Sequence, residues 1–417
     1  MNRNLTTKAY SWLLYFTCFS LPLFAPHWHG KVIAALGVVW VLQVKWSTVI
    51  PKLRNRPFFI LVLGFIVLCA IGLTYSDNVG YGTSIIESLI PLVVLPMIIF
   101  TSDALDDTAV VRNSIVAFVA GVMTLSLASL FFISRNLWDP VHLQSNLVLA
   151  NERIVQIHPA FLSLYISLCL FFLVDYYFPL RSADRSKMGW LLFGVVVLTG
   201  YLVWLNSRAG IFSFICAAVF FLAYRYQGRF RTMGLVFLAA VVVLICVLPF
   251  SKKRFIESPL KVLNNEVVDH SDPDVFPLTN RQEITRCSFS LLKGKEIVYG
   301  YGTGDGRDVL KNCYTERGLT ELAAKGLDSH NEFVAETHRH GLIGLAVLIA
   351  IFGYMFIYAI RTKSALLAAF TVLLATISLF ENILSAQKGT TFIGLIAPLL
   401  FVYSEQIFAR HKHNSAV

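Results

Sequence analysis

Three side chains in the polar stretches of this largely apolar sequence have the types needed for group transfer at an anion: His330, Arg208 and Arg281. His330 lies in Asp328-Ser329-His330-Asn331-Glu332, where Ser329 and Glu332 have the spacing of a capping box. That reading puts His330 in the first turn of a helix. The positive end of the helix dipole there favours the neutral imidazole that a general base requires. Position alone fits a surface histidine equally well. Arg208 sits in Asn206-Ser207-Arg208-Ala209-Gly210, a tight turn between two apolar runs. An arginine so close to hydrocarbon calls for a partner, or else snorkels to headgroup phosphates. Arg281 follows Asn280, a good N-cap, and opens an amphipathic helix over 281–292 whose loose apolar face is Ile284, Cys287, Phe289, Leu291 and Leu292. There it can clamp an anion or simply face water. Arg153 and His158, beside Pro159, form a weaker cluster.

Other polar signals read as structural. The run from Gly300 to Gly306 has the glycines of an anion nest but no strand–helix context, so it reads as a flexible hinge. Asp272-Pro273-Asp274 reads as solvated loop, and His338 and His340 flank Arg339 without metal-ligand spacing. No metal or cofactor is expected. Glu87 is expected to pair with an arginine, and His27 and His29 to lie at a membrane interface beside Trp28.

The elements that must position these groups are set by composition. Of the 417 residues, 56% are hydrophobic and 14% charged, too apolar for a soluble domain of this length. The apolar runs are long enough to cross a bilayer, and in lipid they must be helices. The fold class is therefore all-α and polytopic, with about twelve transmembrane helices. They are expected near 10–26, 31–50, 57–75, 84–101, 109–134, 157–180, 188–205, 209–225, 232–250, 340–360, 364–381 and 390–409. The first run lacks a small-x-small cleavage pattern and reads as a retained helix rather than a signal peptide. Three regions follow: 1–250 with the first nine helices, a loop over 251–339 with the catalytic elements, and 340–417 with the last three helices and a tail.

Short loops carrying Lys52, Arg54, Arg56, Arg225, Arg229, Arg231, Arg361 and Lys363 face those carrying Lys31, Arg135, Arg153, Arg208 and Lys388. Over all the short loops the Lys and Arg bias is about three to one, which puts both termini in the cytoplasm and the 251–339 loop outside. The formal charge of +10 is then mostly topological and gives no reason to expect nucleic acid. Two of the seven cysteines, Cys287 and Cys313, fall in that outside loop, where a disulfide is permitted and is expected between them.

Taken together, Asn206-Ser207-Arg208-Ala209-Gly210, Asn280-Arg281-Gln282-Glu283-Ile284, Gly300-Tyr301-Gly302-Thr303-Gly304 and His330-Asn331-Glu332-Phe333 with Gly341-Leu342-Ile343-Gly344 resemble the bacterial O-antigen ligase and O-antigen polymerase superfamily, most of all the lipopolysaccharide ligases. The resemblance lies in the order of these motifs around one large outside loop. It implies a fold similar to the membrane glycosyltransferases in the bacterial inner membrane. It also implies metal-independent, inverting transfer of glycan from an undecaprenyl diphosphate carrier to the lipid A–core. On the matched positions, Arg208 and Arg281 would bind the diphosphate and His330 would act on the acceptor hydroxyl. Arg153, His158 and Asn331 would contribute to substrate binding. Pro26-His27-Trp28-His29-Gly30, in the first outside loop, has no acidic base of the kind many other membrane glycosyltransferases carry there.

Two other functions fit parts of the sequence. An O-antigen or exopolysaccharide polymerase would use the same donor with a glycan acceptor, and no motif separates it from a ligase. A transporter of lipid-linked sugars would call for inverted repeats and mid-membrane charges, whereas here the conspicuous polar residues gather on one side.

Overall fold

The computed structural model describes residues 3–135, 155–177, 185–264 and 276–414. Among these residues all regular structure is helical, and the chain forms a polytopic membrane protein. Eight helices are long and apolar enough to cross a bilayer, or nine if one bent pair counts as a span. The difference from the twelve expected runs has local causes. The 31–50 run breaks at Val44-Lys45, so Pro26–Gln43 and Trp46–Arg54 meet at 112°. Pro57–Leu73 and Ala365–Ile377 are apolar but shorter than a full span, and Arg3–Ser20 begins in polar sequence.

The helices nearest the loop are shaped by a few capping residues. Asn206 adopts a left-handed conformation (φ +50°), and Ser207 then caps the Arg208–Arg225 helix by accepting from the Gly210 amide at 3.2 Å. Gly210 lies so close to Ser163 of the Pro159–Tyr177 helix that a Cβ there would collide with it. This turn therefore fixes Arg208 at the end of a packed helix pair.

Past the Gly228–Val247 helix, the chain stays helical in short pieces over Pro249–Lys252, Lys253–Glu257 and Ser258–Leu263. Pro249 and Pro259 each stand at the start of a helical piece, where proline is tolerated. Further on, Phe276–Ser290, Gly306–Glu316 and Thr320–Lys325 enclose a small core of Ile284, Cys287, Leu310, Cys313, Tyr314 and Leu322. Cys287 and Cys313 are joined in it by a disulfide. Phe289, expected on the buried face, is exposed instead.

The glycine run is no hinge. It is a strap laid across a break in the Glu332–Arg361 helix at Gly341 (φ +62°). A helix break leaves carbonyls without their usual amide partners, and here the strap supplies them. Tyr301 N–H donates to His338 O at 2.7 Å, and Gly302 N–H to Arg339 O at 2.9 Å. A side chain at Gly300 would strike the Arg339 carbonyl, and one at Gly341 would strike Val298. The Thr303 hydroxyl donates to Cys69 O at 2.6 Å, and the Asp305 carboxylate accepts from the amides of Asp77 and Asn78, each at 2.8 Å. These contacts pin the loop to the membrane helices.

Alkylation of the unreduced, unfolded protein should therefore label five cysteines, those at positions 18, 69, 169, 216 and 246, and reduction should expose the other two. Mass analysis checks this; seven labels without reductant would contradict the bridge.

Candidate active site

His330, Arg208 and Arg281 line one cavity of about 680 Å³. Arg208 enters it from the start of its helix, Arg281 from the Phe276–Ser290 helix, and His330 from the residue before the Asn331 cap. The remaining polar lining is Thr285, Ser329 and Asn331. The wall opposite is apolar, with Ile211, Phe212 and Ile215 from one helix, Val242, Ile245 and Cys246 from the next, and Phe255 and Ile256 beyond it.

Two local expectations are corrected. The helix cap is Asn331, whose side-chain oxygen accepts from the Val334 amide at 3.1 Å, rather than Ser329. His330 thus precedes the helix, in a left-handed conformation (φ +49°), and is not in its first turn. Likewise the Arg281 helix starts at Phe276, so Asn280 lies within it and does not cap it.

One carboxylate organises the site. Glu381, in the connection between Ala365–Ile377 and Gln387–Asn414, places Oε1 3.2 Å from the Arg281 guanidinium and Oε2 3.6 Å from His330 Nδ1. Arg281 also donates to the Phe380 carbonyl at 3.2 Å. Burial alone would push the Glu381 carboxyl up. The contact with His330 and the charges of His158, His330 and Arg281 outweigh burial and hold it below the usual carboxylate range. Arg208 is oriented separately, its Nε donating to the Arg254 carbonyl at 3.0 Å.

Glu381 was not singled out in the sequence. It stands at the very end of an apolar run on the loop side, and a lone carboxylate there was the available signal. The buried ions beneath the site were also missed. Arg339 meets Glu336 at 2.7 Å and Glu332 at 3.6 Å, and donates to Ser385 Oγ at 2.6 Å. Glu332 accepts from the Leu384 amide at 2.7 Å, tying the helix behind His330 to the connection that carries Glu381. His340 is bonded to Glu336 at 2.9 Å and to Thr303 at 3.0 Å, and His338 to the Ser288 carbonyl at 3.0 Å. Both histidines are structural in these contacts.

Of the other expected residues, His158 is exposed and interacts with Glu381 through charge, but it does not line the cavity. Arg153 and Asp272-Pro273-Asp274 lie outside the described residues. Glu87 is exposed and makes no ion pair among the described residues, which corrects its expected pairing with an arginine. His29 is buried and bonded to the Thr17 carbonyl at 2.9 Å rather than lying at an interface.

With this geometry in place, the comparison with known families is informative. Residues 193–349 match the family model described as O-antigen ligase. The match covers less than half of the chain and supports a likeness to the O-antigen ligase superfamily over that stretch. The matched stretch includes Arg208, Arg281, the glycine strap and His330, but ends before Glu381. No curated protein matches the chain. The match supports an enzyme of the ligase and polymerase type, similar to the membrane glycosyltransferases and acting on lipid-linked glycan and an acceptor in general.

The Glu381 contacts carry a pH signature. Its folded-state pKa lies below the ordinary 4.5, so its stabilisation is complete above about pH 4.5 and is lost as pH falls through the lower, folded value. Thermal melts of the detergent-solubilised protein should be flat in this contribution from pH 6 to 8 and decline below about pH 4.5. Glu381→Gln should remove that share of the decline. An identical acid profile for the two proteins would count against the contacts.

Proposed function

We propose that this protein is an O-antigen ligase that transfers glycan from undecaprenyl diphosphate to the lipid A–core at the periplasmic face of the bacterial inner membrane, with both termini cytoplasmic. The observation that carries the reading is the pairing of two guanidinium groups and an imidazole with a long apolar wall in one cavity. A diphosphate on a polyprenyl chain has that same division between anionic head and hydrocarbon tail.

In the proposed reaction the acceptor hydroxyl oxygen attacks the anomeric carbon. The bond from that carbon to the phosphate oxygen breaks on the opposite side, so the anomeric configuration inverts. The leaving diphosphate takes the electron pair, and its growing charge is met by Arg208 and Arg281. Guanidinium matches phosphate oxygens in a bidentate way, and donors aimed at developing charge are typically worth about 10²–10³ in rate. His330 takes the hydroxyl proton, a role typically worth about 10²–10⁴. Glu381 faces Nδ1 of His330, so an N–H at that atom leaves Nε2 with its lone pair for the acceptor. Asn331 has its side-chain oxygen committed to the helix cap, which makes it a support for His330 before it is a ligand.

The reaction as written needs no metal, since the two arginines take the Lewis-acid role on the phosphate oxygens. His330→Ala and Arg208→Ala should each lower transfer by at least about 10²-fold while membrane levels of the protein stay intact. Near-normal activity in either variant would overturn its role. Transfer by the purified protein should be unchanged by chelator; loss that added divalent metal restores would overturn the metal-free step. Offering lipid A–core against a second lipid-linked glycan distinguishes ligase from polymerase, and lipid A–core is the acceptor expected to react.

A further inference from the structure

The segment from Pro249 to Leu263 forms one wall of the cavity and also presents a second, outward face. Inward, Phe255 and Ile256 line the cavity, and Phe255 packs against Val203, Ile211, Val241 and Ile245 at the ends of three membrane helices. The backbone of the same segment holds Arg208, through the Arg254 carbonyl. Outward, Lys252, Lys253 and Lys261 are exposed, beside Leu260 and Leu263 at 50% and 71% exposure. Lys252 remains half exposed despite an ion pair with Glu257 at 3.3 Å. Exposed leucines next to lysines, on short helices that follow directly from a membrane span, are the pattern of a helix lying in the headgroup layer. None of Lys252, Lys253 and Lys261 lines the cavity, so the anion they suit is not the diphosphate placed there.

We propose that this face docks the acceptor, as a membrane-anchored glycolipid whose headgroup carries phosphate. Lys252, Lys253 and Lys261 take the phosphates, and Leu260 and Leu263 sink beside the acyl chains. The argument rests on the transferase reading for the word acceptor, and on continuity with the cavity for the choice of occupant. A lipid-anchored acceptor must sit in the leaflet next to the cavity to bring a hydroxyl to His330, and this segment lines that cavity through Phe255 and Ile256. A basic residue near an anionic headgroup is worth roughly fivefold in binding, so three acting together should exceed tenfold.

The test is a binding measurement on the full-length protein in detergent, without donor, so it does not depend on catalysis. Phosphorylated lipid A–core should bind at least about tenfold more tightly than its dephosphorylated form. The triple variant Lys252→Gln, Lys253→Gln, Lys261→Gln should close that gap, and the corresponding arginine variant should restore it. The proposal is overturned if both forms bind the native protein equally, if the gap survives in the triple glutamine variant, or if phosphatidylglycerol competes as well as the glycolipid. A protein that binds as proposed yet transfers nothing to the bound lipid would count against the ligase reading and leave the docking surface standing.

Discussion

The arrangement depends on one carboxylate held between a guanidinium and an imidazole. Glu381 belongs to a connection between membrane helices, whereas Arg281 belongs to the long loop and His330 precedes the helix that returns to the membrane. Each would find water a competitive solvent if the loop were free. A largely buried carboxylate changes that balance, because leaving it unpaired is more costly than ordering the side chains that neutralise it. Glu381 thereby ties the long loop to the membrane helices through the same side chains that the proposed chemistry uses.

That tie needs a base, and the buried ions supply it. The Glu332–Glu336–Arg339 group and His340 sit in the helix segment ahead of Gly341, with the glycine strap on one side and the 378–386 connection on the other. Removing one member of such a buried group typically costs about 3–5 kcal/mol, since the others are left without a partner. These contacts join strap, connection and helix to one another. Positions of Arg281 and His330 relative to each other are set by elements far apart in sequence, and the disulfide restrains the loop core from the other end.

How much of this could be read in the sequence varies with the range of the interaction. Arg208 stood out because a charge beside apolar runs is costly, and Arg281 and His330 because each lies next to a helix-capping pattern, all of them local properties of the sequence. The helical class followed from the same argument. Cys287 and Cys313 were legible as the pair outside the apolar runs. Glu381 was not, because its meaning comes from partners 100 and 51 positions away (381 − 281 and 381 − 330). The glycines misled for a related reason. Flexibility and close packing both require glycine, and only the carbonyls freed at Gly341 show which is meant. The expected caps at Ser329 and Asn280 differ from the structure, where Asn331 caps the one helix and the other already starts at Phe276.

The central claim is that one cavity receives a lipid diphosphate, with its head between two arginines and its tail on the apolar wall. The most direct measurement is an experimental structure of the full-length protein in a nanodisc with undecaprenyl diphosphate. The account predicts diphosphate density within hydrogen-bond reach of Arg208 and Arg281, and polyprenyl density along Ile211, Ile215, Val242 and Ile245. Diphosphate bound elsewhere, or a tail running away from that wall, would contradict it.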